Sequence, residues 1–155
     1  MKRIMTSLFT LVLFSALAVS VANAQRAHLG FRGGYNFDRE DALLGAQLSL
    51  PVGGMVEVYP SFDYYFTDGG GSLLGINMDL KLRSMGGNHS AFYVGGGLNL
   101  MRASAGGAST TDTGGSLFAG LESRVGSAHP FFEVRGLLHD QSSVQIVGGL
   151  NFTLY

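Results

Sequence analysis

Between Leu74 and Arg83 the chain alternates without interruption. Leu74, Ile76, Met78, Leu80 and Leu82 are apolar, and Gly75, Asn77, Asp79, Lys81 and Arg83 are small, polar or charged. Successive side chains of a strand point to opposite faces, so this segment has one apolar face and one polar face. A helix would scatter both sets around its circumference. The pattern recurs. Leu29, Phe31, Tyr35 and Phe37 alternate with Gly30, Arg32, Gly34 and Asn36, and Ala42, Leu44, Ala46, Leu48 and Leu50 with Gly45, Gln47 and Ser49. Val56, Val58, Phe62, Tyr64 and Phe66 alternate with Glu57, Tyr59, Ser61, Asp63 and Tyr65. Further along, the apolar sets are Phe92 to Leu100, Leu117 to Val125, Phe132 to Leu138 and Val144 to Leu154, each with a small or polar residue between its members. The period predicts eight strands of roughly ten residues, the length that a tilted strand needs to cross a bilayer. Turn chemistry separates them at 51–54, 69–71, 86–88, 126–130 and 139–143. The Gly/Ser/Thr run at 103–116 reads as a flexible loop.

Composition narrows the class. Charged residues make up 14% of the chain, against about a quarter in a soluble domain. The hydrophobic fraction is 46%, yet beyond the first residues no run approaches the roughly 18 consecutive apolar residues of a membrane helix. The N-terminus has its own signature. Lys2 and Arg3 precede an apolar stretch from Leu8 to Val19, and Ala22-Asn23-Ala24 supplies a small-x-small cleavage site before Gln25. Residues 1–24 are therefore expected to be a secretory signal peptide, and 25–155 one domain. There is no cysteine, so no disulfide staples it. Without Lys2 and Arg3, eight basic residues face eleven acidic ones, which is not the signature of a nucleic-acid-binding protein.

Alternation leaves open whether the apolar face looks inward, as in a soluble lipocalin-like ligand-binding barrel, or outward. Three observations favour outward. The polar face is rich in glycine, at Gly30, Gly34, Gly45, Gly75, Gly95, Gly97, Gly120 and Gly149, while the other face is bulky. An eight-stranded barrel has a cramped interior, which suits the small set. The polar face also carries both signs of charge: Glu57, Asp79, Lys81, Arg83, Glu122, Arg124, Glu133 and Arg135. Symmetric hairpins would set Glu57 opposite Arg83, Arg124 opposite Glu133 and Glu122 opposite Arg135, an internal charge network. Finally, with the N-terminus periplasmic, Phe37, Tyr64 and Phe66 fall at the outer rim and Phe92, Phe132 and Phe152 at the periplasmic rim. Two aromatic girdles around an apolar band mark a barrel in lipid.

The leader, the eight alternating strands and the closing Gly148-Gly149-Leu150-Asn151-Phe152-Thr153-Leu154-Tyr155 resemble the small outer-membrane β-barrels of the OmpA-transmembrane-domain and OmpX kind. The resemblance covers the whole mature chain. In that family the last strand ends in an aromatic residue with apolar residues at alternate positions before it. Here Tyr155 is aromatic, but Leu154, Phe152 and Leu150 are one residue out of phase with it. The resemblance implies an all-β, eight-stranded, antiparallel up-and-down barrel in the outer membrane of a Gram-negative-type bacterium. It also implies contact with lipid and lipopolysaccharide, insertion by the barrel assembly machinery, and a monomer.

No residue pattern points to chemistry. His139-Asp140-Gln141-Ser142-Ser143 shares one loop, and a nucleophile, base and orienting acid rarely reach working geometry that way. Asp38, Arg39, Glu40 and Asp41 read as a solvated acidic turn, although three carboxylates could hold a divalent ion with lipopolysaccharide phosphates. No spacing among His28, His89 and His129 suggests zinc. No cofactor, metal or catalytic residue is expected. The expected function is a structural or surface role with a largely plugged lumen. A narrow porin-like channel is the alternative, because the lumen glycines leave room for water.

Overall fold

The computed structural model describes residues 27–67, 71–84 and 89–154. The leader at 1–24, Gly69, Gly70, the turn at 86–88 and Tyr155 lie outside the described residues. The chain forms β1 (His28–Asn36), β2 (Asp41–Gly53), β3 (Val56–Phe66), β4 (Ser72–Arg83), β5 (Ser90–Ala105), β6 (Ala108–Ser123), β7 (Ala128–Leu138) and β8 (Ser143–Thr153). Each strand pairs antiparallel with the next, and β8 pairs with β1 to close the barrel. Closure leaves no sheet edge along the wall, which is what a sheet in hydrocarbon requires. Two ends can be told apart. A loop end carries the connections at 37–40, 67–71, 106–107 and 139–142, and a turn end carries those at 54–55, 84–89 and 124–127.

The apolar set faces out. Phe31, Leu44, Phe62, Ile76, Leu98, Leu117, Val134 and Leu150, one from each strand, are all exposed. Arg32, Asp63, Asp79, Lys81, Glu133 and Arg135 are buried on the other face. A soluble lipocalin-like barrel is the reverse of this, so that alternative is overturned.

Two expectations need correction. The run at 103–116 is not a loop. Residues 101–105 continue β5 and residues 108–114 continue β6, with Ser104 opposite Ser109 and Ala105 opposite Ala108. Gly106 (φ 58°) and Gly107 (φ 84°) make the turn, and two successive positive-φ residues are the type I′ geometry of a two-residue hairpin. The hairpin projects beyond β7, where pairing begins only at Gly115 opposite Leu138, while on its other side β5 stays paired with β4 as far as Ser104 opposite Ser72. Both of its faces meet solvent, so it carries no alternation to read.

The second correction is register. Glu57 lies opposite Lys81, not Arg83, and Glu133 and Arg135 lie opposite Gly120 and Phe118, not Arg124 and Glu122. Gly126 takes the left-handed conformation (φ 81°) and turns the chain early, so β7 begins at Ala128. Every slip is by an even number of residues, which keeps each side chain on its face. Within β3, Pro60 has no N–H to give its neighbour. The β2–β3 ladder is interrupted there, between the pairs Gln47–Ser61 and Leu50–Val58.

Candidate functional site: the barrel lumen

The interior is built from three charged clusters. Nearest the turn end, Lys81 Nζ lies 3.0 Å from Glu57 and 3.3 Å from Glu122. Arg83 reaches the same two carboxylates at 2.5 and 3.3 Å. The Ser49 hydroxyl donates to Glu57, and Asn151 Nδ2 donates to Glu122 at 2.8 Å. Lys81 also sits over the rings of Tyr59 and Tyr93, 4.5 and 4.8 Å from their centroids. Such a setting favours an ammonium removed from water.

In the second cluster Arg135 donates to Asp79 at 2.6 Å and to Glu133 at 2.9 Å, and stacks 4.3 Å from the Phe118 centroid. The Tyr93 hydroxyl donates to Glu133 at 3.2 Å, and Ser116 donates to Asp79. In the third, Arg32 grips Asp63 through two nitrogens, with Nε 2.6 Å from Oδ1. Asn77 Nδ2 donates to the same carboxylate at 3.1 Å. Four cations thus meet five carboxylates in an interior where an unpaired charge would be very costly.

The lumen glycines are filled over by their neighbours. A Cβ on Gly120 would meet the Tyr93 ring, one on Gly95 the Phe118 ring, and one on Gly45 the Asp63 carboxylate. Tyr59, Tyr93 and Phe118 pack as one buried cluster. Toward the loop end the lumen is apolar instead: Leu43, Tyr65, Leu73, Met101 and Leu137 form a second buried cluster. Above it Tyr65 donates to Gln145 at 3.0 Å and Asn36 to Ser143 at 3.1 Å. Sequence reasoning missed this apolar cap. Its members are apolar residues in the polar phase of their strands, one from each of five strands, and no single strand reveals them as a set.

Of the eight residues expected to form the charge network, Glu57, Lys81, Arg83 and Glu122 come together, as do Asp79, Glu133 and Arg135. Arg124 does not join them. It lies just past β6, where its backbone N–H donates to the His89 carbonyl at 2.8 Å, and it makes no ion pair among the described residues. The pair Arg32–Asp63 was not expected. Both residues were visible in the polar phase, but their partnership spans β1 to β3 and no hairpin argument reaches it.

The girdle residues Phe37, Tyr64, Phe66, Phe92, Phe132 and Phe152 are all exposed on the outer face. The first three lie toward the loop end, and the others lie toward the turn end. Tyr64 and Phe66 meet edge to face at 5.1 Å, and Tyr35 and Phe37 at 5.6 Å.

No protein-family model matches the chain, and no curated protein matches it. Solved structures do. The N-terminal β-barrel domain of Pseudomonas aeruginosa OprF superposes with a TM-score of 0.72 at 16% identity, covering 83% of this chain and 97% of that one. Ail, the attachment invasion locus protein of Yersinia pestis, gives 0.60 at 14% identity, covering 83% and 97%. Neisserial surface protein A gives 0.59 at 12%, covering 82% and 94%. At these identities the likeness is one of fold, and it agrees with the outward apolar belt. The chain has the fold of the small outer-membrane β-barrels.

The loop end of the barrel carries the remaining polar residues. Ser142 Oγ donates to the backbone carbonyl of His139 at 3.5 Å, not to its ring. Asp38 accepts from the Val144 N–H at 2.7 Å, and Asn36 Oδ1 accepts from the Arg39 N–H at 3.1 Å. Those bonds hold the first turn against the start of β8. Among the described residues no three His, Asp or Glu side chains converge on a common metal position.

Proposed function

We propose that this barrel is a structural and surface component of the outer membrane whose lumen does not conduct. The reading rests on the filling of the lumen. A bilayer-depth column of buried Arg, Lys, Asp, Glu and Tyr side chains is closed at the loop end by the Leu43–Leu137 apolar cluster. A permeating ion would have to displace fully desolvated ion pairs and then pass an apolar constriction that offers it no ligands. The lumen glycines, which would favour a pore if they lined open space, instead accommodate Tyr93, Phe118 and Asp63. The surface role belongs to the polar hairpin around Gly106 and Gly107, whose β6 arm extends past the end of β7. Lipid and lipopolysaccharide are the partners of the apolar belt, the barrel assembly machinery is the partner in insertion, and the barrel works as a monomer without a catalytic site or cofactor.

Single-channel recording in planar bilayers tests the reading. The barrel is expected to give no discrete current steps. Stable, reproducible steps would replace it with the narrow-channel function.

A further inference from the structure

Barrel closure brings together two histidines that are distant in sequence, one on β1 and one on β7. His28 opens β1 and His129 is the second residue of β7, with β8 between them: His28 lies opposite Thr153, and His129 opposite Asn151. Both fall in the lumen phase at the turn-end mouth, His28 with Arg32 and His129 with Glu133. Their ring centroids are 5.1 Å apart, with the planes inclined at 49°.

Two further observations concern their nitrogens. His129 Nε2 lies 2.9 Å from the Gly126 carbonyl. A carbonyl only accepts, so Nε2 carries the hydrogen and Nδ1 keeps its lone pair. A far-side bond of this kind is how metal-ligating histidines are oriented. His28 is 4% exposed, and among the described residues its Nδ1 has no hydrogen-bond partner. A buried polar nitrogen left unmatched is costly and calls for a ligand or a role. With Zn–N bonds of about 2.0–2.1 Å at a tetrahedral angle, two ligating imidazoles hold their centroids about 5 Å apart, the separation found here.

We propose that His28 and His129 form a two-ligand site for a divalent transition-metal ion of the imidazole-preferring class, with water completing its coordination. The carboxylates deeper in the mouth, Glu57 and Glu122, are already engaged by Lys81 and Arg83, so the two imidazoles carry the affinity. Oxygen-seeking ions such as Ca²⁺ and Mg²⁺ are not held there.

The test is calorimetric titration of Zn²⁺ into the barrel purified in detergent micelles without a histidine tag. One Zn²⁺ per barrel is expected. His28→Gln and His129→Gln should each weaken binding by at least the roughly 10–100-fold that disturbing a ligand's supporting partners costs. His89→Gln and His139→Gln should leave it unchanged. His129 is half-exposed at the mouth, so His129→Gln carries the test alone if His28→Gln fails to fold. Absence of saturable Zn²⁺ binding, binding indifferent to His129, or binding lost in the His89 or His139 variants would overturn the site.

Discussion

Arg32 illustrates what the interior demands of a single residue. Its guanidinium is fully buried and held by Asp63, with Gln47 Oε1 3.5 Å away. Arg32→Met strands the Asp63 carboxylate and should destabilise the barrel by about 3–5 kcal/mol. Arg32→Met combined with Asp63→Leu should recover most of that loss, because it is the unpaired charge that is costly. Urea unfolding in lipid vesicles measures both, and a double variant no better than the single would refute the pairing. Gly120 makes the complementary demand. Any side chain there meets the Tyr93 ring, so Gly120→Val should cost about 1–3 kcal/mol through overpacking, read in the same assay. At this scale the face of each charge was legible in the sequence, because parity survives an even slip in register. The partners were not. Arg135 meets Asp79 across β7, β6, β5 and β4, and hairpin symmetry says nothing about contacts through the lumen.

At the scale of elements, the strands that face lipid were legible and the hairpin that leaves it was not. Alternation is written only where two environments differ. From Leu74 to Arg83 one face meets lipid and the other the lumen, and the whole segment lies within β4. From Ala108 to Thr113 every residue is exposed, so selection for hydrophobicity has nothing to act on. The ladder there rests on β-forming threonines and on the Gly106-Gly107 turn. Gly106→Val with Gly107→Val should open the tip while sparing the wall. Amide exchange is expected to speed up at 103–112, with heat-modifiable gel mobility unchanged. Loss of the mobility shift would mean that the hairpin supports the barrel as a whole.

At the scale of the whole molecule, glycine on one face and bulk on the other determined which way the barrel turns. Several of the same glycines are sockets for their neighbours: Gly120 for the Tyr93 ring, Gly95 for the Phe118 ring and Gly45 for the Asp63 carboxylate. The outward assignment can be tested at Leu80, an exposed residue of β4 between the two girdles. Leu80→Arg should cost about 2–4 kcal/mol in lipid if it lies near the midplane. Leu82→Arg, nearer the turn end, should cost less. Equal or negligible penalties would contradict a membrane belt at this depth.

A closed barrel embedded in the outer membrane is what the outward apolar belt and the proposed function together require. Gel migration of boiled and unboiled protein from a purified outer-membrane fraction tests it most directly. A mobility difference on boiling, in that fraction, is the expected result. Protein recovered in the soluble periplasm, with identical mobility before and after boiling, would contradict it.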